Sequence, residues 1–189
     1  ISRDEQDIFA LNSQEKTQKA IYENKFQNEL INLELNINKK IFLFEKDEHP
    51  RSNLSLKDLK KLKTIFKENG TVTAGNSSGI NDGAAATVLM SREEADHRSI
   101  QPLAKIVSWG TCGIEPSLMG LGPIPAVKIA IKKANWKIDD IDLFEINEAF
   151  AAQSIAVIRE LKIHREKVNI NGGAIALGHP IGASGTRIV

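Results

Sequence analysis

The sequence predicts an α/β fold, in which strands of a sheet alternate with helices packed on it. After Gly70, strand-like and helix-like segments follow one another along the chain. The continuous apolar run at residues 84–90 is typical of a strand buried on both faces. Residues 141–146 again resemble a strand, and helical spacing follows over 148–161. A short strand at 168–170 completes the alternation.

Before Gly70, the first element is a helix predicted over residues 2–23. Ser2 and Glu5 form an S-x-x-E capping box just before the first apolar positions. The box satisfies backbone N–H groups that the first helical turn leaves free, so it marks the start of this helix.

A hairpin and a second helix are predicted next. Strict two-residue alternation over 31–37 indicates a half-buried strand, and the apolar residues 41–44 are its expected partner. Leucines at helical spacing, followed by Phe66, predict a helix over 56–66, with Ser55 as its cap.

Three further elements lie between residues 91 and 141. Ser91 with Glu94 repeats the capping-box pattern and predicts a short helix. Residues 103–109 are predicted as a strand. Pro125 suits the first position of the following helix, where a missing N–H costs nothing.

Composition excludes several classes of protein. Twenty-five Lys and Arg against 24 Asp and Glu give a net charge of +1, which argues against a nucleic-acid partner bound by phosphate neutralisation. No run approaches the 18 apolar residues of a membrane span, so no membrane partner is expected. Cys112 is the only cysteine and no cluster has zinc-site spacing, so we expect no disulfide and no metal.

The segment Asn169-Ile-Asn-Gly-Gly-Ala-Ile-Ala-Leu-Gly-His-Pro-Ile-Gly-Ala-Ser-Gly185 is the most unusual in the chain. Its five glycines allow the backbone to approach a ligand closely, and His179 can transfer a proton near neutral pH. A helix starting at Ser184 would offer free N–H groups to an anion. The alternative is a tight strand-to-helix turn around a packed histidine.

Asn147-Glu148-Ala149-Phe150 lies where a predicted strand ends and a helix begins, a position at which α/β proteins place active-site groups. Asn147 offers a neutral donor and acceptor, and Glu148 in the first helical turn would suit the helix dipole. The alternative is simple helix capping by Asn147. A third segment, residues 70–83, is rich in Gly and small residues and either admits a ligand or forms a surface loop.

Together these segments resemble the thiolase family, whose histidine motif N-x-x-G-G-x-x-x-x-G-H-P-x-G-x-S-G is matched from Asn169 to Gly185. Residues 147–150 match the family's NEAF motif, and residues 73–86 are similar to its CoA-contacting loop. The resemblance is greatest to biosynthetic acetyl-CoA acetyltransferases. It implies a layered αβαβα architecture, present here incompletely: part of the inserted loop domain at 1–69, the end of the N-terminal half at 70–100, and a truncated C-terminal half at 101–189.

The resemblance also implies the chemistry. Thiolases join two acetyl-CoA molecules into acetoacetyl-CoA, or reverse this by thiolysis, through an acyl-cysteine. His179 matches the histidine that activates the cysteine, and Asn147 matches the residue whose water helps stabilise the thioester oxygen. Ser78, Ala74, Phe150 and Arg51 match CoA-contacting positions, although Ser52-Asn53 replaces the His-Gly that follows Pro-Arg in relatives. Coenzyme A thioesters are then substrates, and no permanently bound cofactor is expected.

The chain begins at Ile1 and stops at Val189, directly after the glycine-rich segment, and we expect it to be an internal fragment. Both family cysteines would then lie outside it, and the isolated fragment would be inactive. Relatives imply a cytoplasmic or mitochondrial homodimer or homotetramer acting in lipid metabolism. Two other classes stay open: a non-catalytic thiolase-like chain that binds acyl-CoA or assembles with another subunit, and a related ketoacyl synthase.

Overall fold

A computed structural model describes all residues, 1–189. Seven α-helices and one two-stranded sheet make up its longer regular elements. Their bounds are α1 Arg3–Tyr22, β1 Leu33–Ile37, β2 Lys40–Phe44, α2 Leu56–Lys60, α3 Arg92–His97, α4 Pro123–Ala134, α5 Ala151–Leu161, α6 Ala174–Leu177 and α7 Ile181–Ile188. Short 3₁₀ helices lie at Pro116–Leu121, Ile138–Asp140 and Arg165–Lys167.

The two helices predicted from capping boxes are confirmed. Ser2 Oγ accepts from the Glu5 N–H, and the Ser2 N–H donates to Glu5 Oε2 at 2.9 Å, so α1 starts with both halves of the box. Ser91 Oγ accepts from the Glu94 N–H at the start of α3. Both patterns are local in sequence, which is why no distant contact was needed to predict them.

The predicted hairpin is confirmed, but the burial predicted for one face of its first strand is not. β1 and β2 pair antiparallel, with Leu35 opposite Phe42. Every residue of β1 is exposed, so the expected half-buried strand is wrong in that respect. An isolated hairpin has nothing to cover either face.

Four segments predicted as strands do not form a sheet. Residues 84–90 and 103–109 have no regular structure, and Val88 is 85% exposed. Residues 141–146 and 168–170 meet in a single parallel bridge, Phe144 with Val168. A strand exists through hydrogen bonds to a neighbour, and these four segments share only this one bridge.

Helix boundaries also differ from the predictions. The helix predicted over 56–66 ends at Lys60, and α4 begins at Pro123 rather than at Pro125. Helix α5 begins at Ala151, three residues after Glu148. Helix α7 begins at Ile181, so the Ser184 N–H lies inside the helix and donates to Pro180 O at 2.9 Å. The anion site expected at Ser184 is therefore wrong, because that N–H is already paired.

The core lies between α1 and α5, with α2, α4 and α6 around them. One face of α5 is apolar and buried, as helical spacing of apolar residues predicts. The buried apolar side chains include Phe9, Leu59, Ile155, Val157, Ile158 and Ile175. No helix is both long and apolar enough to cross a membrane.

Candidate active site

Three segments that are distant in sequence meet beside this core. The Ser78 N–H donates to Ala149 O at 3.0 Å, which joins the loop at 73–81 to the segment at 147–150. The His179 N–H donates to Gly79 O at 3.2 Å, which joins the same loop to the glycine-rich segment. The backbone thus brings all three predicted motifs to one place.

Backbone conformation sets the position of His179. The preceding Gly178 has φ +93°, a left-handed conformation that side chains disfavour. A Cβ at Gly178 would also lie 2.6 Å from Asn81 Oδ1. That oxygen accepts from the His179 N–H at 3.2 Å, so glycine is required for the loop to come this close.

The His179 imidazole is half-buried and has a partner on each nitrogen. Asn147 Nδ2 lies 3.2 Å from His179 Nε2. On the other side, Ser184 Oγ lies 2.7 Å from Nδ1. Ser184 Oγ also donates to Pro180 O at 3.1 Å. The structure therefore places the imidazole directly beside the Asn147 amide.

Asn147 does not cap a helix. The cap of α5 is Phe150, and no side chain accepts a hydrogen bond from its first turn. The capping alternative is therefore wrong, because the strand-to-helix connection runs three residues further than expected. This extra length lets the Asn147 side chain reach His179.

Glu148 is a buried carboxylate rather than a residue of the first helical turn. It is 2% exposed and accepts hydrogen bonds from three directions. Ser13 Oγ donates to Oε2 at 2.6 Å, Asn169 Nδ2 to Oε1 at 2.8 Å, and the Ile175 N–H to Oε2 at 3.2 Å. Burial raises the pKa of Glu148 above its ordinary value, and the hydrogen bonds from Ser13 and Asn169 oppose that rise. The carboxylate thereby connects α1, α6 and the segment carrying Asn147.

A second glycine makes room for this carboxylate. A Cβ on Gly173 would lie 2.6 Å from both Glu148 oxygens. The Gly173 N–H donates to Ser13 Oγ at 3.1 Å, so the hydroxyl links the glycine-rich segment to Glu148. Gly173 therefore allows the glycine-rich segment to pack closely against Glu148.

The predicted CoA-contacting residues differ in burial and in their contacts. Ser78 is half-buried, and its Oγ donates to Ala149 O at 3.2 Å. Phe150 packs edge-on against Phe66, with ring centroids 6.0 Å apart. Ala74 is exposed on the same loop as Ser78.

Arg51 is exposed and is not drawn into the cluster. Its backbone N–H donates to Gln14 Oε1 at 3.0 Å, while its guanidinium has no hydrogen bond or ion pair.

Cys112 is exposed as well, and its Sγ donates to Gly122 O at 3.3 Å. No group of three or more His, Cys, Asp or Glu side chains converges in the structure.

Sequence reasoning missed the roles of Ser184, Asn81 and Glu148 in holding the site. Ser184 follows His179 by five residues, within reach once a helix starts at Ile181. A helix boundary placed three residues too late concealed that signal. Asn81 and Glu148 carried no local signal, because their partners lie far away in the sequence.

Comparison with known families covers almost the whole chain. A model described as "Thiolase, N-terminal domain" matches residues 1–93, and one described as "Thiolase, C-terminal domain" matches residues 100–189. The acetyl-CoA acetyltransferase of Shinella zoogloeoides is 52% identical over 189 residues. That alignment covers 100% of this chain and 48% of the relative, so the chain spans about half the length of the curated relatives it matches.

Solved structures of thiolases are also similar to this chain over its whole length. The Bacillus anthracis acetyl-CoA acetyltransferase matches with a TM-score of 0.97 at 48% identity, over 100% of this chain and 48% of that one. Human mitochondrial 3-ketoacyl-CoA thiolase matches with a TM-score of 0.95 at 46% identity, again over 100% and 48%. The same human enzyme in complex with CoA matches with a TM-score of 0.93, over 100% and 47%. These matches confirm the predicted layered α/β architecture.

Proposed function

Because this chain belongs to the thiolase family, we propose that the protein is an acetyl-CoA C-acetyltransferase, which condenses two acetyl-CoA molecules to acetoacetyl-CoA or cleaves the product by thiolysis. Relatives named acetyl-CoA acetyltransferase at 52% and 53% identity support this substrate. The reaction proceeds through an acyl-cysteine, which divides the condensation into two easier steps.

The observation that carries the proposal is the contact between Asn147 and His179. An imidazole and an amide, 3.2 Å apart and half-buried, form a pair of polar groups that can face one acyl oxygen. His179 takes the proton of the attacking thiol, and with Asn147 it then stabilises the thioester oxygen. Each such donor contributes on the order of 3 kcal/mol to the transition state.

Binding of the CoA part is assigned to the loop beside this pair. Ser78 and Ala74 lie on this loop, and Phe150 provides an aromatic ring for contact with the ligand. Arg51 provides a cation for the phosphates at the nucleotide end of CoA. The relative solved with CoA supports the class of ligand. The Arg51 side chain is exposed and makes no contact with the His179–Asn147 pair.

The thiol comes from outside the described residues in this proposal. Cys112 is the only cysteine of the chain, and neither nitrogen of the His179 ring contacts it. The 189-residue chain by itself is therefore expected to lack turnover.

The test is His179→Ala in the natural protein that contains these residues. We expect kcat for acetoacetyl-CoA thiolysis to fall by about 10³-fold or more, because the variant loses both the base and an oxyanion donor. His164→Ala is the matched control, since that imidazole is exposed and faces only Glu166 at 3.7 Å.

Wild-type kcat in the His179 variant would reject the assigned role. Binding of acetyl-CoA without turnover in the natural protein would instead support the non-catalytic alternative.

A further inference from the structure

The hydrogen bonds on the two sides of the His179 ring favour the same position for the ring proton. We propose that Ser184 is a positioning residue that keeps the neutral imidazole protonated on Nδ1, so that Nε2 is the basic nitrogen. The geometry stands by itself, whereas the catalytic meaning of this tautomer rests on the proposed function.

The first argument starts from Asn147. Its Nδ2 is only a donor, and it lies 3.2 Å from His179 Nε2. A nitrogen that accepts a hydrogen bond carries no proton of its own. The single ring proton of a neutral imidazole must then sit on Nδ1.

The second argument starts from Ser184 and reaches the same state. The hydroxyl has one proton, which it donates to Pro180 O at 3.1 Å. Its lone pairs remain free to accept, and Nδ1 lies 2.7 Å away. Because Ser184 is 5% exposed, water does not compete for this hydroxyl. Both partners of the ring therefore favour the same tautomer.

The position of Ser184 is fixed by its helix. It lies in the first turn of α7, where its N–H donates to Pro180 O at 2.9 Å. Pro180 directly follows His179, so the turn that carries the imidazole also carries the acceptor of the Ser184 proton. The same turn thus holds both the ring and the hydroxyl.

This tautomer suits the proposed reaction. When the thiol attacks, it replaces the Asn147 amide as the donor to Nε2. Its proton passes from sulfur to Nε2, and the electron pair of the S–H bond stays on sulfur. The imidazolium then has a proton on each nitrogen: Nδ1–H points to Ser184, and Nε2–H and the Asn147 amide are both available to the thioester oxygen. With the opposite tautomer, Nε2 would already be protonated and could not take the thiol proton.

The direct test is the ring ¹⁵N spectrum of the natural protein at about pH 9, well above the range in which free imidazole protonates. The His179 signals are assigned by their loss in His179→Gln. We expect Nδ1 to resonate as a protonated ring nitrogen and Nε2 as an unprotonated one. The reverse assignment in the wild-type protein, with Nε2 protonated, would overturn the proposal.

Three variants test the role of the hydroxyl. Ser184→Ala should raise the population of the Nε2–H tautomer, because only the Asn147 contact then favours Nδ1–H. It should lower kcat about tenfold, with KM nearly unchanged, since one hydrogen bond is lost. Ser184→Thr should restore both, because threonine in a helix can donate to the carbonyl four residues earlier. Ser154→Ala is the matched control: Ser154 is also buried in a helix, and its Oγ has no hydrogen-bond partner.

The outcomes separate the two proposals. A wild-type Nδ1–H tautomer that Ser184→Ala shifts and Ser184→Thr restores, in a protein without turnover, would support the role of Ser184 and reject the proposed function. Turnover with an unshifted tautomer in Ser184→Ala would do the reverse. If Ser184→Ala does not fold, the wild-type spectrum and Ser184→Thr still decide: a proton on Nε2 in either overturns the proposal.

Discussion

The region around α1 and α5 and the stretch from residue 84 to residue 109 both contain apolar residues but differ in what surrounds them. In the first region, side chains such as Leu59 and polar groups such as Glu148 are 1% and 2% exposed. In the second, Val88 is 85% exposed and Leu103 is fully exposed. An apolar residue is buried only when another element covers it. The contrast shows that hydrophobic sequence is not sufficient for a core.

A pair of leucines gives the largest expected contrast in the 189-residue chain. Leu59→Ala should lower the free energy of unfolding by about 4 kcal/mol, because it leaves a cavity in the core. Leu103→Ala, the same chemical change at an exposed site, should alter it by less than about 0.5 kcal/mol. Urea unfolding followed by circular dichroism measures both. Equal losses would show that residues 84–109 are covered after all.

Removing the buried carboxylate should have the next largest effect. Glu148→Leu leaves the donors from Ser13, Asn169 and Ile175 without an acceptor. We expect a loss of about 3 kcal/mol, since each buried unpaired group is costly. Glu160→Leu is the control, because the Glu160 side chain is 61% exposed. A loss below that of the control would mean that water replaces the missing acceptor.

Alanine substitutions at two glycines of the His179 motif should change the free energy of unfolding by smaller amounts. Gly178→Ala forces a Cβ into the left-handed region and against Asn81, so we expect a loss of about 2 kcal/mol. A Cβ at Gly182 would meet nothing within 4 Å, and this residue lies inside α7. Gly182→Ala should therefore stabilise the chain by about 0.5 kcal/mol or more. Thermal melts of the two variants should move in opposite directions.

The pH dependence of stability should be the smallest measurable effect. The pKa of Glu148 is raised in the folded chain by burial, so its contribution is fully present below its ordinary value of 4.5 and is lost as pH rises through the folded pKa. Glu148→Gln should remove this decline in the free energy of unfolding over the pH range from 4.5 to the folded pKa. Parallel slopes for variant and wild type, measured by urea unfolding across the window, would show that the carboxyl does not titrate as proposed.

The same comparison explains what the sequence could predict. Helices α1 and α3 follow from capping residues three positions apart, and a local signal is sufficient for them. The hairpin follows from alternation and proximity along the chain. Residues 84–90 and 103–109 could not be judged in this way, because a strand depends on a neighbour that the pattern does not reveal.

The same distinction between local and long-range signals applies to the residues of the candidate site. Residue types and order indicated His179 and Asn147, and the structure places them 3.2 Å apart. The supporting contacts of Asn81 and Glu148 cross 98 and 135 residues of sequence, to His179 and Ser13. Such contacts depend on the tertiary fold, so no spacing rule could have found them. The catalytic and CoA-binding roles stay predictions.

The long reach of these hydrogen bonds also has a kinetic consequence. Closing a loop of about 100 residues is entropically costly, and contacts of this span form slowly. The imidazole environment therefore matures after α1 and the hairpin have formed, and it is lost when the core opens as a whole. A molecule captured at this place should slow amide hydrogen exchange throughout α1 and α5, and not only in the loops it touches.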